Sequence, residues 1–113
     1  MTYDAFEVVI VPFPFSERAA SKHRPALVIS KRSFNDNHAH VVLAMITSAA
    51  TADAAPWPGD VVIADPAAAG LNAPSVVRLK VFTIDRDLIL RRAGSLGGAD
   101  RHRVAKALDQ WLA

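Results

Sequence analysis

The 113-residue chain contains no cysteine. That removes disulfide frameworks, thiolate metal sites and a cysteine nucleophile, and it fits a reducing compartment. A long apolar run is missing too: nothing approaches the roughly 18 residues of a membrane-spanning helix. The opening residues "MTYDAFEVVIVPFPF" place Asp4 and Glu7 where a secretory leader would carry positive charge, so the cytoplasm is the expected location. Charge of one sign is also scarce. Thirteen Lys and Arg stand against eleven Asp and Glu, a net charge of +2, which is not the broad basic excess of a nonspecific nucleic-acid binder. Any contact with nucleic acid would be local. No repeat, low-complexity tract or second domain interrupts the chain, and residues 1–113 read as one domain.

What the sequence does hold is apolar material: 51% hydrophobic against 21% charged residues, enough to bury a core. Residues 8–11 (VVIV) are β-branched and continuous, a buried strand. Pro12 and Pro14 cannot donate to a ladder and fray its end, leaving Phe13 and Phe15 two apart. Residues 16–23 (SERAASKH) read as a polar connection, and Pro25 biases Arg24 toward an extended backbone before "PALVIS" resumes as a second strand. "NDNH" at 35–38 is a turn signal, and "AHVVLAMITS" is a third strand ending near Thr47. Residues 49–58 read as a loop that Trp57 anchors. "GDVVIAD" is a fourth strand, and Gly70 and Pro74 mark a turn.

In "SVVRLKVFTID" the alternation of Val77, Leu79 and Val81 with Arg78 and Lys80 predicts that the two basic side chains share one face. After Gly97-Gly98, Asp100 is placed to cap a helix over 101–112 whose apolar stripe is Val104, Ala105, Leu108 and Trp111 or Leu112. Short strands with one terminal helix predict a mainly β fold, a small and strongly bent sheet or barrel. Basic residues gather at Arg18, Lys22, His23 and Arg24, again at Lys31 and Arg32, and at Arg78 and Lys80. Each cluster alone reads as a solvated face. His38 and His40 in the "NDNHAH" turn read as surface residues rather than metal ligands.

Taken in order, "VVIVPFPF" (8–15), "RPALVIS" (24–30), "ITS" (46–48), "AGLNAPSVVR" (69–78), "TID" (83–85) and "GSL" (94–96) resemble the MazF/PemK/Kid toxins of bacterial type II toxin–antitoxin systems. The likeness spans nearly the whole chain. It implies the SH3-like barrel of the MazF/CcdB/Kid toxin type with a C-terminal helix, and a homodimer. It also implies ribosome-independent, metal-free endoribonuclease cleavage of single-stranded RNA with no cofactor. A cognate MazE-like antitoxin, encoded next to it, would hold the toxin inactive by covering the RNA groove.

Such cleavage needs no enzyme nucleophile, because the RNA 2′-hydroxyl attacks its own phosphate; the protein must position that phosphate, stabilise its charge and move protons. The resemblance makes Arg24 a catalytic phosphate ligand, for which a permanently charged fork of donors is suited. It makes Thr47 a hydroxyl donor to the scissile phosphate, with Ser48 on the neighbouring nucleotide. It makes Arg78 a candidate acid. Two positions later family members carry an aspartate as proposed base, where this chain has Lys80, which is protonated at neutral pH and suits RNA backbone instead. Glu7 is a candidate base or an orienter of Arg24, and His23 a further candidate base. Lys22 and His23 belong to a basic flap over the RNA. Phe13, Phe15 or Trp57 would stack on a base or serve as core or dimer contacts. Phe6 departs from the family, which has glycine before the acidic residue. Two other readings stay open: a CcdB-like gyrase poison, against which the "RP" and "ITS" features stand, and a relative that binds RNA or antitoxin without cleaving.

Overall fold

The computed structural model describes residues 1–12 and 22–113. The expected connection, with Arg18, Phe13 and Phe15, falls largely outside them. The valines of the first strand set the architecture: Val8, Val9 and Val11 are all fully buried, although successive side chains of a strand point to opposite faces. Both faces of the sheet are therefore covered, and a continuous β-branched run is what such a strand needs.

This strand, β1 (Glu7–Pro12), pairs with β2 (His23–Val28), which pairs with β3 (His40–Ser48). Beyond β3 lie β5 (Ser75–Asp85) and the two-residue β4 (Val61–Val62), while β6 (Arg91–Ser95) flanks β1 on the other side. The antiparallel order is β4-β5-β3-β2-β1-β6. The sheet curls into a half-barrel with a C-terminal helix. One core holds Val9, Val11, Ala26, Val28, Leu43 and Phe82. The opposite face holds Val8, Leu27, Ala44, Ile46, Val77 and Val104.

Three expectations are corrected. The "NDNH" turn lies mostly within a helix, α1 (Arg32–Asn37). Asn35 is 1% exposed, and its amide donates to the Tyr3 and Ser30 carbonyls at 2.9 and 3.0 Å, so tertiary bonds override a local turn preference. The loop after β3 begins with a helix, α2 (Ala49–Ala54): Ser48 Oγ accepts from Thr51 N at 3.2 Å as its N-cap, and alanines fill it. The terminal helix, α3 (Gly98–Trp111), is capped at Gly97 rather than Asp100. Asp100 sits in its first turn, 2% exposed, accepting from Ala64 N and Asp65 N at 2.8 and 3.0 Å. Val104 and Ala107 are buried and Leu108 half-buried, while Ala105, Trp111 and Leu112 are exposed, so the apolar stripe is narrower than its spacing implied.

Gly70 shows why the loop before β5 needs glycine. Its φ is +73°, and a Cβ there would stand 2.1 Å from the Ala93 carbonyl oxygen of β6. Among the described residues no helix is long and apolar enough to cross a membrane.

Candidate active site

Arg24, Thr47 and Arg78 come from three adjacent strands, and the register brings them to one end of the sheet. Ala26 pairs with Met45; carried on by two residues, that register sets Arg24 across from Thr47. On the other side of β3, Met45 pairs with Arg78 and Thr47 with Val76. Antiparallel partners share a face, so Arg24, Met45, Thr47 and Arg78 project to the same side. Arg24 is exposed, whereas Thr47 is recessed at 9% exposure. A solvent-exposed arginine thus neighbours a sheltered hydroxyl, a pair able to hold a phosphate between a charged fork and a neutral donor.

Arg78 is turned to a different task. It is 6% exposed, and its Nε and Nη2 donate to Asp60 Oδ1 and Oδ2 at 3.1 and 2.9 Å, with Nη2 also reaching the Ala55 carbonyl at 2.9 Å. The hydrogen bond from Arg78 holds Asp60 below the usual carboxylate range, against a burial that pushes it up. The same bond raises the Arg78 pKa, which is the wrong direction for a proton donor. The arginine expected as an acid is the inward tie of residues 55–60.

Between Arg78 and Val81 the ladder is interrupted: Ala44 pairs with Val81 while Met45 pairs with Arg78, so Leu79 and Lys80 form a bulge of two residues, which keeps the order of faces on either side of it. Lys80 is exposed where Arg78 is buried.

A family model described as "PemK-like, MazF-like toxin of type II toxin-antitoxin system" matches residues 4–112. The chain belongs to this family. No curated protein matches the toxin. Among solved structures it is similar to an endoribonuclease in complex with its cognate antitoxin from a mycobacterial species, at 19% identity over 97% of this chain and 94% of that one, TM-score 0.73. It is also similar to MazE-MazF from Deinococcus radiodurans, at 22% identity over 100% and 97% of the chains, TM-score 0.72. A third, an Mtb toxin, shows 26% identity over 77% of this chain and 90% of that one, TM-score 0.63.

Other expected site residues of the toxin lie elsewhere. Glu7 starts β1 and is paired with Arg92, Oε2 to Nε at 2.5 Å, while its Oε1 accepts from Asp4 N at 2.6 Å. Arg24 pairs with Val11, four residues along β1 from Glu7, or roughly 13 Å at strand rise. Glu7 therefore does not orient Arg24. Lys22 and His23 are exposed at the start of β2, His23 opposite Pro12, close to Arg24 in sequence but with His23 on the alternate side of the strand. Ser48 falls on the face opposite Thr47, and its hydroxyl also donates to Thr51 Oγ1 at 2.9 Å. His38 stacks on Phe34 with centroids 4.0 Å apart; with His40 it lies at the far end of β3 from Thr47. Among the described residues no three His, Cys, Asp or Glu side chains gather to hold a metal ion.

Sequence reasoning missed Asp60. One acid in a Pro-, Trp- and Gly-containing loop has no periodicity to mark it, and its partner follows only from the pairing of β4 with β5. Trp57, expected as a loop anchor, has the Arg78 guanidinium 5.1 Å from its ring centroid.

Proposed function

We propose that this toxin, a ribonuclease by family, cuts single-stranded RNA at the end of the sheet where Arg24 and Thr47 stand across from one another. The Ala26–Met45 register, which carried on by two residues sets Arg24 across from Thr47, is the observation supporting this reading. The substrate 2′-oxygen attacks phosphorus and gives up its proton. The P–O5′ bond breaks, and the departing O5′ takes a proton, leaving a 2′,3′-cyclic phosphate and a 5′-hydroxyl. Arg24 neutralises charge on the non-bridging oxygens and Thr47 Oγ1 donates to one of them. No enzyme nucleophile and no metal ion enters the step.

Arg78 positions residues 55–60 and does not transfer a proton. Lys22, His23 and Lys80 contact the RNA backbone. Ser48 caps α2 and so fixes the end of β3 that presents Thr47. The protein works as a homodimer, free of ribosomes, and a cognate antitoxin silences it by covering the RNA-binding face.

The test is incubation of purified protein with mixed-sequence single-stranded RNA in EDTA. Cleavage leaving 5′-hydroxyl ends is expected, with losses of at least about a hundredfold in Arg24→Ala and Thr47→Val. Thr47→Ser keeps the hydroxyl and retains activity, and Glu7→Gln cleaves at the wild-type rate. Intact RNA, or full activity in Arg24→Ala, would sink the proposal.

A further inference from the structure

We infer that Trp57 is a stacking platform for a nucleobase next to the scissile phosphate, a subsite that rests on the ribonuclease reading above. The residue is held at two points, one on its backbone and one on its ring. Its backbone N–H donates to Asp60 Oδ2 at 3.0 Å, and the guanidinium beneath it belongs to Arg78, which the same carboxylate holds. Trp57, Asp60 and Arg78 thus close a small ring of contacts around one carboxylate. A tryptophan pinned this firmly would ordinarily be covered, yet Trp57 is 42% exposed.

Its position selects the occupant. Arg78 lies diagonally across from Thr47, a separation of about 7–8 Å between such positions in an antiparallel pair. The ring resting on Arg78 is therefore over a side chain that leaves the sheet on the face of Thr47 and Arg24. A flat aromatic surface held rigid next to phosphate-binding groups matches how single-stranded RNA is gripped, by stacking unpaired bases while the backbone is held by charge. The exposed tryptophan on α3, Trp111, lies against Gly59, where a Cβ would stand 3.2 Å from its Cδ1, and no cation stacked on its ring appears among the described residues.

The chain has two tryptophans, so Trp111→Phe makes Trp57 the sole indole reporter. Titrating that variant with a pool of single-stranded 2′-O-methyl RNA, which has no attacking hydroxyl, should quench its emission at saturation. On cleavable RNA, Trp57→Ala should raise KM about tenfold with kcat within about threefold, as loss of one stacked base implies. It should also flatten the base preference at one position beside the cleavage site, read by sequencing the 5′-hydroxyl ends. Trp57→Phe should restore KM to within about threefold, which separates stacking from disturbance of Arg78. An unchanged emission with RNA bound, or Trp57→Ala matching wild type in KM and base preference, overturns the platform. If wild-type protein leaves RNA uncut the ribonuclease reading falls by itself, and the quenching titration still decides whether Trp57 meets a base.

Discussion

Replacing Asp60 with asparagine tests the inward role of Arg78 directly. The Arg78 and Asp60 side chains are 7% and 15% exposed, so the pair is nearly out of water, and the guanidinium has two bonds to the carboxylate. Asparagine keeps an oxygen for Trp57 N–H but leaves a buried positive charge uncompensated. Breaking such a pair from one side costs about 3–5 kcal/mol, and the residual access of water to Asp60 favours the lower end, about 3 kcal/mol. At a urea dependence of about 2 kcal/mol per molar, the unfolding midpoint should fall by about 1.5 M.

Removing both charges should cost less than removing one. In Asp60→Asn with Arg78→Met an apolar chain fills the arginine's space, and the deficit should shrink to about 1 kcal/mol. The pH dependence has a fixed sign. Asp60 titrates below its ordinary value in the folded protein, so its stabilisation is fully present above the unfolded carboxylate pKa and is lost as pH falls through the folded one. The gap between wild type and Asp60→Asn should be level near neutrality and narrow below about pH 4. A single-variant cost under about 1 kcal/mol, or a double variant as unstable as the sum of both singles, would refute the assignment of Arg78 as a buried tie.

Phe6 sits at φ +71°, where glycine is at ease; Phe6→Gly and Phe6→Ala both lose the ring over which Arg101 lies at 5.0 Å, so their difference isolates the backbone, and glycine should be the more stable by about 1 kcal/mol in thermal unfolding. Asp100→Ala strips the acceptor from two backbone N–H groups and should cost about 3 kcal/mol by urea titration; because those bonds hold the carboxyl below its usual range although burial raises it, this loss too should fade below about pH 4. Lys80→Ala should weaken RNA binding alike for all sequences and reduce the slope of log affinity against log salt by about one, with kcat unchanged; a fall in kcat alone would give Lys80 a part in the chemistry.

Much of the fold and part of the site were legible because they depend on local chemistry. The valines of β1, the proline at its end and the apolar run of β3 each state their element within a few residues. The ordered motifs point to Arg24 and Thr47, and the Ala26–Met45 register, carried on by two residues, sets them across from one another. Legibility failed where the deciding partner is distant in sequence. "NDNH" carries every local mark of a turn, but Asn35 answers to Tyr3, 32 residues away. Asp100 has the residue type and place of a cap, but it answers to the backbone at Ala64 and Asp65. The bulge at Leu79 and Lys80 has no sequence mark either, since residues 77–81 (VRLKV) alternate without a break. One strand turns Arg78 in to hold the 55–60 segment and leaves Lys80 out in solvent, so the two basic residues differ in what they can reach: Asp60 for one, a solvent-borne ligand for the other. With Arg78 engaged by Asp60, a pH–rate profile that is unchanged by Arg78→Lys with Asp60 intact is the result this geometry requires.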